Sequence, residues 1–197
     1  MKVHKHSSNS IPIVIGFCLL LIGVVQIGAL WTIARTIAPS LLITGTIEEV
    51  QPAKFSPQIY QLEIVNDRIQ LVPEPVYTTA TSPQLALKQA IDQLFTYSLI
   101  NPTTTIPQGT ELLDLQIDNK DIFLNLSGEF ATGGGSSSMT YRVAQVLYTA
   151  TSIEPQASVF LSIEGTPLDE NYPLGGEGLL LEYPLTRQQF NRDFLQE

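Results

Sequence analysis

The chain has 197 residues, of which 44% are hydrophobic and only 15% are charged, and its 19 acidic and 10 basic residues give a net charge of −9. This negative charge disfavours binding to nucleic acids and to anionic lipid head groups. The single cysteine, Cys18, and both histidines, His4 and His6, lie near the N-terminus. The rest of the chain therefore lacks the residues of Ser/His or Cys/His triads and of typical zinc sites. We expect no enzymatic activity and no cofactor.

The N-terminus predicts a membrane anchor. Residues 1–10 form a short basic tail, and residues 11–34 contain no charged side chain. As a helix this run would be about 36 Å long, enough to cross a hydrocarbon core of about 30 Å. Lys2 and Lys5 precede it and only Arg35 follows closely, so the positive-inside rule places the N-terminus in the cytoplasm. We predict a single-pass signal anchor in the cytoplasmic (inner) membrane; a cleaved signal peptide, with an apolar core of about 7–15 residues, fits less well.

Beyond the anchor, residues 35–57 contain three prolines and are predicted to be a linker to an extracytoplasmic domain spanning residues 58–197. The apolar residues from Ile59 to Val65 predict a first strand. The stretch from Ile69 to Tyr77 is predicted to be an edge strand or an irregular arm, because its two prolines lack the N–H group that a central strand needs.

A first helix is predicted next. Ser82 is a favoured helix cap and Pro83 a favoured first residue. Apolar residues then recur at helical spacing from Leu87 to Phe95, which gives the helix one apolar face as far as about Tyr97.

The middle of the domain predicts a β-hairpin. Leu112 to Ile117 and Ile122 to Leu126 form its strands, and residues 118–121 form its turn. The alternation along the second strand directs Phe123 and Asn125 away from the face that carries the apolar residues.

A second helix and a further strand complete the prediction. A glycine loop at residues 133–135 precedes a helical pattern from Ser136 to Ala150. Val159 to Ile163 predicts a strand, and Thr186 to Leu195 predicts a short terminal helix. The predicted fold class is α+β, with an N-terminal transmembrane helix followed by one small domain. We expect two helices packed on one face of a mainly antiparallel sheet.

In their order and spacing, several fragments together resemble the GerMN domain of sporulation and germination proteins. The likeness covers residues 59–190, and its strongest part is the strand, glycine loop and second helix in combination with Ile106–Thr110. The other matching fragments are Glu111–Leu113, Leu124–Phe130, Gly133–Ser136, Arg142–Thr149 and Pro184–Arg187. The resemblance implies a β-α-β-β-α-β-like fold. It also implies a domain that makes protein–protein contacts in the bacterial cell envelope, with envelope proteins or with copies of itself. It implies no catalytic residues.

Two glycine-rich loops are the candidate site for a ligand or a contact. The first precedes the second helix and could bind an anion, since free N–H groups and the helix dipole converge there. The alternative is a tight corner in which Ser136 or Ser137 caps the helix. The candidate residues are Ser127, Glu129, Gly133, Gly134, Gly135, Ser136, Arg142, Gly175, Gly176 and Glu177.

The charged candidates allow further interpretations. Glu129 and Glu177 could act as acid and base on a glycan if their carboxylates lay about 5–9 Å apart, although solvated glutamates are much commoner. Arg142 lies off the main apolar face of its helix, so it is predicted either to be exposed or to pair with one of these two glutamates.

Two functional hypotheses follow. The first is a membrane-anchored envelope protein, inserted in the lipid bilayer through residues 11–34, whose outer domain contacts envelope proteins or other copies of itself. The second is a binding module for a cell-wall glycan or a small ligand at the two glycine loops.

Overall fold

A computed structural model of the chain describes residues 54–176 and 178–195. The predicted transmembrane segment, residues 11–34, lies outside the described residues. Within the described part of the chain, none of the helices combines the length and the apolar character that a bilayer span requires. The chain divides into two units, Met1–Gln51 and Pro52–Glu197, and all described residues belong to the second.

The described residues form six strands, three α-helices and a short 3₁₀ helix. In chain order they are β1 (Gln58–Val65), β2 (Arg68–Pro75), α1 (Pro83–Ser98), β3 (Leu112–Asp118), β4 (Asp121–Leu126), the 3₁₀ helix (Gly128–Ala131), α2 (Ser136–Ala150), β5 (Ser158–Ile163), β6 (Thr166–Pro167) and α3 (Arg187–Phe194). The three predicted helices and the predicted hairpin are therefore present, and α2 has the predicted bounds.

The strands form two separate sheets. β1 and β2 make an antiparallel pair, and the second sheet has the order β3-β4-β5-β6. β4 and β5 are parallel, because the connection between them passes through α2 and returns the chain to the same end of the sheet. The α+β class is confirmed, and three of the four strand pairings are antiparallel, as predicted; the strands form two sheets, however, where a single sheet was predicted.

The hairpin of β3 and β4 supplies one wall of the core. Ile122, Leu124 and Leu126 are each at most 2% exposed. Phe123 lies on the opposite face, as the alternation predicts, and its ring stacks on that of Phe160 with the centroids 4.9 Å apart.

Helix α1 begins as predicted. The Ser82 side chain caps it by accepting a hydrogen bond from the Leu85 N–H at 3.2 Å, and Pro83 is its first residue. Its apolar residues are buried along one face. Through this helix and its partners the core continues from the sheet of β3–β6 to β1.

Helix α2 is central to the fold and is buried on more than its apolar face. It contacts β1, α1 and α3. Val143, Val146 and Leu147 are fully buried, as predicted. Gln145 and Thr149 are polar and equally buried, at 1% and 0% exposure.

These two polar residues explain why the sheets are separate. The Tyr60 N–H donates to Thr149 Oγ1 at 2.9 Å, and Gln145 Nε2 donates to the Tyr60 carbonyl at 3.3 Å. Thr103 Oγ1 donates to the Leu62 carbonyl. Side chains of α2 and of the segment after α1 thus satisfy the outer edge of β1, where a neighbouring strand would otherwise pair.

Candidate functional site

The chain leaves β4 through a hydrogen-bonded corner at Ser127. This side chain is buried, and its Oγ accepts a hydrogen bond from the Glu111 N–H at 3.0 Å. It also donates to the carboxylate of Glu129, which is exposed. The bond from Ser127, assisted by the backbone N–H of Glu129 itself, lowers the pKa of Glu129 because it stabilises the charged form.

Arg142 is buried beneath this corner, with only 2% of its surface exposed. Its Nε donates to the Thr105 carbonyl at 2.9 Å and its Nη2 to the Gly133 carbonyl at 3.0 Å, while Nη1 donates to the Phe130 carbonyl. The guanidinium carbon also lies 5.8 Å from the centroid of the Phe130 ring. Burial lowers the pKa of Arg142, but an arginine stays charged at any physiological pH. The Arg142 side chain therefore fastens two segments to α2, the one that contains Thr105 and the one from Phe130 to Gly133.

The predicted exposure of Arg142 is therefore wrong, and so is a pair with Glu129, since Arg142 is buried and forms no ion pair with any described residue. A pair with Glu177, which lies outside the described residues, stays a prediction. Three converging carbonyl oxygens accept the hydrogen bonds of Arg142. Several backbone carbonyl groups can together serve as partners because the planar guanidinium presents five N–H donors in a fixed fork.

The first glycine loop makes a sharp corner ahead of α2. Gly133 and Gly134 have φ values of +64° and +81°, in the left-handed region that favours glycine. A Cβ on Gly134 would also lie 2.7 Å from Ser138 Oγ. The helix cap is Gly135, and among the described residues no side chain accepts a hydrogen bond from the first N–H groups of α2, so the predicted serine cap is wrong. Ser136 is instead the first helical residue and is exposed.

The second glycine loop packs against the first turns of α2. A Cβ on Gly175 would lie 2.2 Å from Met139 Cε, and a Cβ on Gly178 would lie 2.3 Å from Met139 Sδ. The same Cβ on Gly175 would be 3.6 Å from the carbonyl oxygen of Ala131. Ala131 lies between the corner at Ser127 and the first glycine loop. Gly176 faces open space at a φ of +81°. The structure thus brings the two predicted loops together around Met139.

Glu177, the remaining candidate in the second loop, lies outside the described residues. The separation of the Glu129 and Glu177 carboxylates therefore stays a prediction, and so does any acid–base pair built on them.

A buried polar stripe on α2 was missed by the sequence reasoning. Gln145 Oε1 accepts hydrogen bonds from Thr104 Oγ1 at 3.2 Å and from the Thr105 N–H at 3.4 Å. Together with Arg142 and Thr149 it forms a row at positions i, i+3 and i+7 along the helix. That spacing places the three on one helix face, so it was the available signal.

Arg187 closes the other end of α2. Its Nη2 donates to the Tyr148 carbonyl and its Nε to Thr151 Oγ1, both at 2.7 Å. The guanidinium carbon lies 4.6 Å from the centroid of the Tyr148 ring and 5.0 Å from that of Tyr60. A cation at the C-terminal end of a helix stabilises its last carbonyl groups. Arg187 is therefore a structural fastener, like Arg142.

Two concave surfaces lie away from the glycine loops. A groove of about 1330 Å³ runs between β2, α2 and α3. A smaller depression of about 530 Å³ lies between β1 and the segment that follows α1. No residue of either glycine loop lines these two surfaces.

Comparison with known proteins identifies the domain. The family described as "Germane: Sporulation and spore germination" matches residues 58–169, more than half of the chain. A search of the curated proteins gives no match. Among solved structures, the first GerMN domain of the sporulation protein GerM from Bacillus subtilis is similar, with 20% identity and a TM-score of 0.50 over 68% of this chain and 98% of that one.

Two further solved structures are similar over a comparable stretch. The tandem GerMN domains of the same B. subtilis protein share 18% identity and a TM-score of 0.47, over 68% of this chain and 46% of that one. A putative lipoprotein from Clostridium perfringens shares 14% identity and a TM-score of 0.46, over 70% of this chain and 90% of that one. From the family match and the fold, this chain belongs to the Germane family and carries a GerMN domain.

Proposed function

We propose that this protein is a membrane-anchored component of the bacterial cell envelope whose extracytoplasmic GerMN domain acts by contacting other proteins or copies of itself. The uncharged run of residues 11–34, with basic residues mainly before it, supports the anchor and its orientation.

The observation that carries the proposal is the exposed apolar surface at the tip of the β1–β2 hairpin. Ile64 is 65% exposed, Ile69 is 40% exposed and Val65 is 36% exposed. Ile100, at 76% exposure, lines the smaller depression together with Ile64. Apolar side chains gathered in this way are expected to be covered by a partner.

The chemistry of the glycine loops favours the same conclusion. The polar groups that could serve a ligand there, Arg142 and the Ser127 hydroxyl, are directed at backbone groups of the protein itself. The loops hold the domain together, and this leaves recognition to other surfaces.

A pull-down tests this function. We expect the tagged full-length chain, solubilised from membranes in detergent, to co-purify with a partner or to elute as an oligomer. The matched control is residues 1–57 with the same tag, which keeps the anchor and linker and lacks the domain. Elution of the full-length chain as a monomer with no partner beyond those of the control would overturn the proposal.

The alternative, a wall-glycan or small-ligand module at the glycine loops, has its own test. We expect wall fragments to leave the thermal unfolding midpoint of the full-length chain unchanged. A saturable rise in that midpoint that disappears in a Glu129→Gln variant would favour the alternative.

A further inference from the structure

The hairpin of β1 and β2 has a defined hydrogen-bonding register. Its two-residue turn, Asn66 and Asp67, has φ values of +53° and +62°, as a type I′ turn requires. In such a hairpin the closing pair, Val65 and Arg68, exchanges both ladder hydrogen bonds, and every second pair after it does the same. The intervening residues direct their N–H and C=O groups outward.

Independent contacts on β1 confirm this assignment. Tyr60 directs both backbone groups outward to side chains of α2, and Leu62 directs its carbonyl outward to Thr103. Their partners on β2 are Pro73 and Leu71. Residues 69, 71, 73 and 75 of β2 therefore face its outer edge.

The outer edge of β2 is consequently half blocked and half open. Pro73 and Pro75 occupy outward positions, where they remove edge N–H groups without costing a bond to β1. Ile69 and Leu71 keep outward N–H groups, and neither group donates to any described residue. Prolines commonly protect edge strands from unwanted pairing, so the unprotected half is a place where another strand can add.

A groove accompanies the open half of the edge. Ile69 and Leu71 line the 1330 Å³ groove, whose opposite side carries Tyr141 and Tyr148 of α2 and Phe194 of α3. An added strand would send alternate side chains to the same face as Ile69 and Leu71. Those side chains would enter the groove and meet its aromatic rings.

The net charge of the domain indicates which kind of protein could supply the added strand. Residues 54–197 contain 17 acidic and 7 basic residues. Asp67 and Arg68 both line the groove and both are exposed, so their opposite charges offset each other beside the open edge. A second copy of this domain would bring a like net charge, which disfavours it as the occupant and favours a segment of a different protein.

We propose that this groove binds an extended segment of a different protein, which adds as a third strand to β2 at Ile69 and Leu71. The partner would alternate apolar residues, directed into the groove, with polar ones, and it would not share the net negative charge of this domain. Pro73 and Pro75 limit the pairing to a short stretch beside the hairpin tip. This inference rests on the proposed function, since it assigns a surface to the contact.

Photo-cross-linking in intact cells tests the surface. The full-length chain would carry the photoreactive residue benzoylphenylalanine in place of Tyr141, which lines the groove. The matched control places it at Phe123, an aromatic residue exposed on the other sheet. We expect an adduct from position 141 that maps to one short segment of a different protein, and no such adduct from position 123.

Two variants test the mode of binding. In the position-141 protein, Ile69→Pro removes an outward N–H and should lower the adduct yield about tenfold. Ile69→Thr keeps the N–H and a β-branched side chain and should lower it no more than about threefold. If Ile69→Pro does not accumulate as folded protein, Ile69→Lys replaces it, with Val65→Lys as its control, since Val65 lies at the same hairpin tip and points to the opposite face of the strand pair. Only Ile69→Lys, which puts a charge at the groove, should then reduce the yield.

The outcomes separate this inference from the proposed function. Adducts from position 123 alone, or equal yields with Ile69→Pro and Ile69→Thr, would overturn strand addition and leave a contact function in place. An adduct with a second copy of the chain would overturn the assignment to a different protein. No adduct at either position, with a monomer in the pull-down, would remove the inference and the proposed function together.

Discussion

Arg142 holds in place the segment that leads from β4 into α2, and removing its side chain should lower the stability of the protein. Arg142→Met keeps an apolar stem but leaves the Thr105, Phe130 and Gly133 carbonyls without their donor. We expect the free energy of unfolding to fall by about 2–4 kcal/mol, measured by denaturant titration. Arg68→Met, which removes an exposed arginine, should change it by no more than about 0.5 kcal/mol. Similar losses for the two variants would mean that the carbonyl contacts contribute little.

The Ser127 hydroxyl sets the ionisation of Glu129. The lowered pKa means that the charged form is favoured in the folded state, so this interaction stabilises the protein above the pKa of the unfolded chain. Its contribution is lost as the pH falls through the lowered folded-state pKa. In Ser127→Ala we expect the pKa of Glu129 to rise, as followed by NMR titration of its carboxyl group. Thr132→Val, which removes a donor to the Glu129 backbone carbonyl, should leave that pKa unchanged. An unshifted Glu129 in Ser127→Ala would exclude the bond as the cause.

For individual residues, the sequence predicted the glycine loops but not the hydrogen bonds that hold them in place. Glycines before a helical pattern predicted a corner, because left-handed backbone favours glycine. The role of Arg142 depends on carbonyl groups from residues 105, 130 and 133, which only the tertiary fold brings together. A wheel projection shows the face on which a residue lies, and it does not show which backbone atoms will cover that face.

The second glycine loop packs on Met139 of α2, and this contact can be tested by a double-mutant cycle. Gly178→Ala would place a Cβ 2.3 Å from Met139 Sδ and 2.9 Å from the Leu174 carbonyl oxygen. We expect a loss of about 1–3 kcal/mol in the free energy of unfolding. Gly128→Ala, whose nearest contact would be an ordinary 3.8 Å, is the control and should be nearly neutral.

The cycle is completed in a Met139→Ala background. There the clash with Met139 is removed and only the one with the Leu174 carbonyl oxygen remains, so Gly178→Ala should cost at least about 1 kcal/mol less than in the wild type. An equal cost in both backgrounds would show that Gly178 and Met139 are not coupled.

The polar stripe on α2 seals the outer edge of β1. Thr149→Val is nearly isosteric and leaves the Tyr60 N–H without an acceptor, which should cost about 1–3 kcal/mol in unfolding free energy. Hydrogen exchange at the Tyr60 amide should accelerate more than at other amides of β1. Thr140→Val, a similar change at a half-buried position of the same helix, serves as the control. Unchanged exchange at Tyr60 would show that the edge is held by other contacts.

Helices and the local hairpin were predictable because their signals are local. The Ser82 cap, the helical spacing in α2 and the strand alternation in β4 each lie within a few residues of the element that they specify. The division into two sheets was not predictable in this way. It depends on whether β1 pairs with a strand or with Gln145 and Thr149, some 85 residues away along the chain.

The described residues have the fold of a GerMN domain, and their interior polar groups serve that fold. Arg142 and Arg187 fasten the two ends of α2 to backbone groups and aromatic rings. The surface that we propose for partners is the hairpin tip, with its apolar side chains, its open edge and its groove. The family likeness was recognisable from the order of the fragments, whereas the proposed contact surface emerged only from the register of β1 and β2.

The central claim is that this domain lies outside the cytoplasm and works there by contact. The most direct measurement treats intact cells with a membrane-impermeant, amine-reactive cross-linker, which can reach Lys54, Lys88 and Lys120 only if the domain is extracytoplasmic. The account predicts a cross-linked complex of the full-length chain in intact cells. A complex that forms only with a membrane-permeant cross-linker, or a chain that stays monomeric with both reagents, would contradict it.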